Sequence, residues 1–236
     1  MLKINTQLRS PVRDHNGSEL LVHSVFYTMQ GEGPYSGVPA VFIRLAGCNL
    51  RCPGCDTEYT QGATEMRLAD LVRLADLAFP KRSMSYLRPP LFVITGGEPF
   101  RQNISPLCEC LLQLGAIVQI ETNGTLPPSP ELPGAVRVVC SPKAPKINKE
   151  LAAVVFAYKY VVQAKYVATD GLPTAILGKQ QLPARPHHGF TGCVYLTPMD
   201  EQNPKANEAN CKAAVESCIT HGYAFNLQLH KYINKP

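Results

Sequence analysis

Leu45-Ala-Gly-Cys48-Asn-Leu-Arg-Cys52-Pro-Gly-Cys55-Asp-Thr57 gathers three cysteines in one short loop and offers no fourth nearby. Iron–sulfur clusters are usually held by four Cys thiolates. Three leave one iron open to a substrate or cofactor, by the same logic that separates catalytic from structural zinc sites. Two plainer readings compete. Cys52-Pro-Gly-Cys55 has the spacing of a thiol redox pair, which leaves Cys48 without a role. Alternatively the three thiolates hold structural zinc with distant Cys140 or Cys193 as fourth ligand, although the usual second Cys-x2-Cys or His-x3-His pair is missing.

The loop follows an apolar run, Val41 to Leu45, and that arrangement recurs along the chain. Leu91 to Ile94 precedes Thr95-Gly-Gly-Glu-Pro99, and Val118 to Ile120 precedes Glu121-Thr-Asn-Gly124. Val136 to Val139 leads into Ser141-Pro-Lys143, Val194 to Leu196 into Thr197-Pro-Met-Asp200, and Phe225 to Leu229 into His230-Lys231; Lys159 to Val162 is a possible further strand. Short runs rich in β-branched and aromatic residues read as buried parallel strands. Helical stretches fall between some of them, Arg67 to Leu77, Ile104 to Leu114 and Ala206 to His221, with Gly115 and Gly222 as stops. Polar residues at successive strand ends predict a site on the carboxyl face of a barrel-like sheet. The proline-rich stretch from Gly124 to Glu150, with Pro127-Pro-Ser-Pro-Glu-Leu-Pro133, cannot carry a long helix. The expectation is an α/β fold in one domain, residues 1–236: an incomplete TIM-like (β/α) barrel of about six parallel strands.

Composition sets the outer bounds. The 236 residues suffice for one large domain. The 45% hydrophobic and 17% charged fractions are those of a globular protein, and no apolar run approaches a membrane span. The N-terminus has no long apolar segment, so a reducing cytoplasm is expected. Nine Cys argue against a disulfide framework, and Cys108, Cys110, Cys193, Cys211 and Cys218 are expected to be small buried hydrophobes. The net charge of +5 is spread along the chain, which suits small anionic ligands and not a nucleic-acid groove. His187 and His188, in a Pro- and Gly-bounded stretch, read as a solvated surface loop.

The Cys-x3-Cys-x2-Cys spacing after Val41-Phe-Ile-Arg-Leu45 resembles the radical S-adenosylmethionine (SAM) superfamily. Gly96-Gly-Glu-Pro99 looks like its SAM motif, where glycines permit close approach and Glu98 can accept the methionyl ammonium; alone it would be a tight turn. Three further segments, Phe26-Tyr-Thr-Met-Gln-Gly-Glu-Gly-Pro34, Pro39-Ala-Val-Phe-Ile-Arg44 and Cys55-Asp-Thr57, closely resemble the 7-carboxy-7-deazaguanine synthase family. The first is not a phosphate loop, because no Gly-Lys-Ser/Thr follows at the required spacing.

That resemblance implies a barrel of the radical SAM type and a lyase that converts 6-carboxy-5,6,7,8-tetrahydropterin to 7-carboxy-7-deazaguanine with loss of ammonia, in queuosine and 7-deazapurine biosynthesis. It implies a [4Fe-4S] cluster on Cys48, Cys52 and Cys55. SAM is expected along Gly54, Asp56, Gly97, Glu98, Asn123, Ser141, Pro142, Lys143, Thr197, Pro198, Met199 and Asp200. Substrate is expected at Met29, Gln30, Gly31, Glu32, Arg44, Thr95, His230 and the terminal carboxylate of Pro236, with Gln228 close by on the last strand. A Gln amide can pair with a lactam edge and Arg44 can clamp a carboxylate. Against this, Glu32 and Arg44 can form a buried structural ion pair. Mg2+ is implied at Thr57, which is otherwise a candidate helix N-cap. A flavodoxin-type or other electron donor and a homodimer also follow from the resemblance, with no nucleic-acid or membrane partner. An activating enzyme for a glycyl-radical protein shares the style of Cys loop, but Gln30-Gly-Glu-Gly-Pro34 and the dense polar set favour a small substrate.

Overall fold

A computed structural model describes residues 5–55, 57–80 and 89–233. The first element is a strand that the apolar-run pattern misses, β1 (Glu19–Met29), which turns back antiparallel into β2 (Pro39–Leu45). A short strand, β3 (Thr64–Arg67), pairs antiparallel with the other edge of β1. β1 is hard to read because it is half-buried, carries His23, Ser24 and Tyr27 among its apolar residues, and breaks register between Val22 and Ser24. Antiparallel strands exposed on one side lack the continuous apolar run of a parallel core strand.

From β2 onward every pairing is parallel: β4 (Leu91–Gly96), β5 (Ile117–Thr122), β6 (Arg137–Cys140), β7 (Val155–Val162), β8 (Cys193–Pro198) and β9 (Ala224–Phe225) follow in spatial order. Among the described residues the sheet thus has nine strands in the order β3-β1-β2-β4-β5-β6-β7-β8-β9, more than the six expected and mixed in direction. Among the described residues no strand pairing closes it on itself. Instead Leu229 N donates to Gly31 O at 3.1 Å and Gly33 N to Asn226 Oδ1 at 3.1 Å, so the segment after β9 returns to the β1–β2 turn across the carboxyl edge.

Helices α1 (Leu68–Ala78) and α2 (Ser105–Gln113) lie close to the expected bounds. They bury Leu71, Leu107 and Leu111 with Leu20, Ile43 and Ile94 of the sheet in the main core. The proline-rich segment supports only α3 (Lys149–Ala152), whose first N–H groups are capped by Asn148. α4 (Pro204–His221) starts at the Asn203 cap and stops at Gly222, whose φ of 75° few other residues adopt. Its inner face packs Ala214 and Cys218 with Tyr158, Tyr160 and Leu196 in a second core. Phe225 to Leu229 is strand only at its start, because the chain turns into a one-turn helix, α5 (Leu229–Tyr232). His187 and His188 are exposed, whereas Cys193, expected in the core, is exposed at the amino end of β8. No described helix is long and apolar enough to cross a membrane.

Candidate functional site

The Cys loop leaves the carboxyl end of β2 and is held there by close backbone contact. Gly97 N donates to Leu45 O at 3.2 Å and Glu98 N to Gly47 O at 3.0 Å. A Cβ on Gly96 would meet Leu45 O at 2.0 Å, and one on Gly97 would meet Gly47 O at 2.0 Å. The paired glycines therefore let the end of β4 lie against the root of the Cys loop. Beneath them Glu98 is fully buried. Its carboxylate accepts from Thr122 Oγ1 at 2.8 Å, Phe100 N at 3.2 Å and Asn123 N at 2.7 Å, and burial pushes its pKa up to about 7. Asn123 in turn donates to Asn49 Oδ1 at 2.9 Å, which ties the end of β5 to the loop.

A strap of chain ahead of β1 braces the other side. Ser10 N donates to Cys48 O at 2.7 Å and Arg51 Nε to Asn5 O at 2.9 Å. The Gln7 amide bridges the loop's exit, donating to Thr57 O at 2.8 Å and accepting from Tyr59 N at 2.9 Å. Cys48, Cys52 and Cys55 then face one cavity of about 750 Å3 at the carboxyl edge of the sheet. Burial pushes the Cys48 thiol up to about 11, and the neighbouring Cys52 and Cys55 push it the same way. Burial also raises Cys52, against the opposing field of Lys143, Arg9 and Lys179. Three thiols aimed into one polar cavity, where Cys52 and Cys55 thiolates would oppose ionisation of Cys48, suit a cationic group that takes up thiolates and releases their protons. The zinc alternative fails on placement: Cys193 sits at the opposite end of β8 and Cys140 is buried in the second core, neither lining the cavity. Among the described residues no three His, Cys, Asp or Glu side chains are grouped as a single-ion site.

The far end of the same cavity is built by β1, β2, β4, β5 and β7. Phe26 and Phe42 stack with ring centroids 5.5 Å apart, and the Arg44 guanidinium lies 5.1 Å from the Phe26 ring centre. Lys159 on β7 pairs with Glu32 in the β1–β2 turn and stands 3.9 Å from Glu121 on β5. Glu32 also accepts from Gln228 Nε2 at 2.7 Å. Although burial opposes its charge, Lys159 beside it and the Gln228 bond hold the Glu32 carboxyl down at about 2. Glu121 gathers Thr95 Oγ1 at 3.1 Å, Gln30 Nε2 at 3.1 Å and Gln119 Nε2 at 3.3 Å. The result is a flat aromatic wall beside a ring of fixed charges and amides, which suits a planar, polar, anionic ligand.

No family model matches the chain. It is 38% identical to the 7-carboxy-7-deazaguanine synthase of Rhodospirillum rubrum over 95% of this chain and 97% of that protein. The enzyme of the same name from Rickettsia prowazekii is 36% identical, covering 92% and 89%. The chain belongs to the 7-carboxy-7-deazaguanine synthase family. That from Bordetella pertussis is 34% identical over 91% of this chain and 98% of its own. The crystal structure of QueE from Escherichia coli superposes with a TM-score of 0.67 at 22% identity, covering 90% and 95%, and so shares the fold.

Most residues that the 7-carboxy-7-deazaguanine synthase resemblance nominates do meet at this cavity: Met29 to Glu32, Arg44, the three cysteines, Gly54, Thr57, Thr95, Gly97, Asn123, Ser141, Lys143, Met199, Asp200 and His230. Several differ from expectation. Glu98 does not line the cavity, because its carboxylate already accepts three protein hydrogen bonds. Thr197 is buried behind the wall, accepting from Asn226 Nδ2 at 3.0 Å, and Pro142 and Pro198 also lie off the lining. Thr57 caps no helix, as the next one is α1. Glu32 pairs with Lys159 where a partnership with Arg44 is the sequence alternative, and His230 stands on α5, packed over Gly31, where a strand is expected. Asp56 and Pro236 fall outside the described residues. Sequence reasoning passes over Lys159 and Glu121, which lie 38 residues apart and meet only because β5, β6 and β7 are adjacent; their one signal is a charge inside an apolar strand run.

Proposed function

We propose that this cavity carries out the reaction of the family, converting 6-carboxy-5,6,7,8-tetrahydropterin to 7-carboxy-7-deazaguanine with loss of ammonia. The observation that carries the proposal is the continuity of the cavity, which joins three thiols at one end to Arg44, Glu32, Lys159 and Glu121 at the other. Cys48, Cys52 and Cys55 would hold a [4Fe-4S] cluster with one iron left for SAM, and Thr57 fits a hydroxyl ligand for Mg2+ among substrate oxygens and waters. When bound, the cluster and SAM would supply radical chemistry for hydrogen abstraction at C6 of the pterin.

The chain's own contribution is placement. Arg44, fixed over Phe26, offers its planar fork to the substrate carboxylate. The Phe26–Phe42 wall gives the ring a flat face. Glu121 and Gln30, already bonded to each other, present a preorganised polar edge. SAM would run between Gly54, Gly97, Asn123, Ser141, Lys143, Met199 and Asp200, where Asp200 is held ionised near 2 by the Gln202 N–H and by Lys231 at 3.0 Å. Holding reactants in this way can supply about 7–11 kcal/mol at best. The finer reading of the fold is one domain, an incomplete barrel of the radical SAM type, working in the cytoplasm as a homodimer with a flavodoxin-type donor.

The test is an anaerobic assay of protein reconstituted with iron and sulfide, reduced, and given SAM, Mg2+ and 6-carboxytetrahydropterin, with product followed by mass spectrometry. Formation of 7-carboxy-7-deazaguanine is expected. Cleavage of SAM without that product would overturn the substrate assignment, and a well-folded protein that takes up no cluster would overturn the whole reading.

A further inference from the structure

Arg101 lies just beyond the Gly96-Gly-Glu-Pro99 turn, only 2% exposed. Its guanidinium donates to three main-chain carbonyls: Nη1 to Ala46 O at 3.0 Å, Nε to Ser10 O at 3.0 Å, and Nη2 to Pro11 O. Gly47, with φ of 81°, wraps so closely on it that a Cβ there would stand 2.3 Å from Nη1. One side chain thus joins the root of the Cys loop to the strap that receives the Cys48 carbonyl.

Among the described residues no carboxylate lies within ion-pair distance of this cation. Burial disfavours its charge and Arg13 adds to that, while Cys48 and Glu98 nearby act the other way. Arg13 is paired with Glu65, and the Glu98 oxygens are engaged by Thr122, Phe100 and Asn123. A buried charge without a counter-ion is costly. Here the cation is fixed at the root of the Cys48 loop, bonded to Ala46 O and closed against Gly47.

Resting on the cluster assignment above, we propose that Arg101 is a positioning residue that fixes the root of the Cys48 loop and, as a buried cation, raises the reduction potential of the cluster held there. A reduced cluster carries one more negative charge than the oxidised one. A fixed cation beside one of its ligands therefore favours reduction, since nearby charge and hydrogen bonding set the potential of such centres.

The experiment is an anaerobic redox titration, read by electron paramagnetic resonance, of reconstituted wild type, Arg101→Gln and Arg101→Lys. Glutamine keeps donors without charge, and lysine keeps charge without the fork. The expected result is at least a tenfold less favourable reduction in Arg101→Gln, 59 mV for one electron, with Arg101→Lys close to wild type. Loss of iron from the Gln variant with retention in the Lys variant supports the same conclusion. A wild-type potential in Arg101→Gln, or a Lys variant that behaves like the Gln variant, would overturn it. If wild type itself takes up no cluster, the cluster assignment fails first, and this inference with it.

Discussion

Replacing Gly97 by Ala tests whether the two glycines serve the junction between β4 and the Cys loop. Gly97 has no left-handed φ, so the substitution is a steric probe free of conformational strain. The new methyl would sit 2.0 Å from Gly47 O, 2.4 Å from Gly47 C and 2.9 Å from Cys48 N, all backbone atoms that cannot rotate away. Overpacking of this kind costs about 1–3 kcal/mol, and loss of the adjoining Glu98 N to Gly47 O bond adds about 1 kcal/mol. A total of about 3 kcal/mol lowers the melting temperature of a chain this size by about 6–12 °C. The assay is thermal unfolding of the metal-free protein, followed by iron content after anaerobic reconstitution. Gly134→Ala is the control: nothing lies within 4 Å of its Cβ and its φ is ordinary, so a change within about 0.5 kcal/mol is expected. A metal-free Gly97→Ala protein that melts with the wild type and takes up full iron would refute the packing argument.

Other expectations are separable from that one. Cys48→Ala, Cys52→Ala and Cys55→Ala each abolish SAM cleavage, whereas Arg44→Ala keeps the iron content and visible spectrum of wild type and loses substrate affinity; turnover by any Cys variant contradicts the site. Lys159→Met leaves Glu32 buried without its cation and costs about 3–5 kcal/mol in denaturant unfolding, and a change under 1 kcal/mol would show that the pair is not a strut. The two buried carboxyls have opposite pH dependence. Glu32, held near 2 against an unfolded 4.5, contributes stability that is full above 4.5 and lost as pH falls toward 2, about 3 kcal/mol in all, and Glu32→Gln flattens that limb. Glu98, raised from 4.5 to about 7, contributes stability that is full below 4.5 and fades as pH rises to 7, so Glu98→Gln flattens the other limb. Denaturant midpoints of metal-free protein across pH 3–8 check both, and unchanged slopes in either variant contradict its assignment.

What was legible in the sequence, and what was not, follows from how far each signal reaches along the chain. Parallel strands announce themselves because both faces are buried, so Val41 to Leu45, Leu91 to Ile94 and Val118 to Ile120 stand out as unbroken apolar runs. β1 does not, since one face is only half covered and its polar residues interrupt the run. The strand ends locate the site, because parallel strands must deliver their carboxyl ends to one edge. Which residue at each end faces the cavity is decided by contacts across strands. Glu98 illustrates the difference. Its motif suggests a ligand for a bound ammonium, yet Thr122 Oγ1, from the next strand, and Phe100 N engage one carboxylate oxygen and Asn123 N the other.

The same logic changes what the glycine pair is for. Besides lining the cavity, Gly96-Gly97 let the chain itself approach: Leu45 and Gly47 bring their carbonyls to where a Cβ would begin. Gly47 is in turn closed against Arg101, and Arg101 against the strap at Ser10 and Pro11. The three cysteines therefore hang from a dense backbone junction in which each partner lacks room for a larger one. Such a junction fixes the root of the loop before anything binds, which lowers the ordering left for cluster uptake there. The far end of the cavity is held differently, by Lys159, Glu32, Glu121 and Gln228 drawn from four separate segments. Steric change should thus act mainly at the thiol end and charge change at the substrate end, because packing fixes the first and buried electrostatics the second.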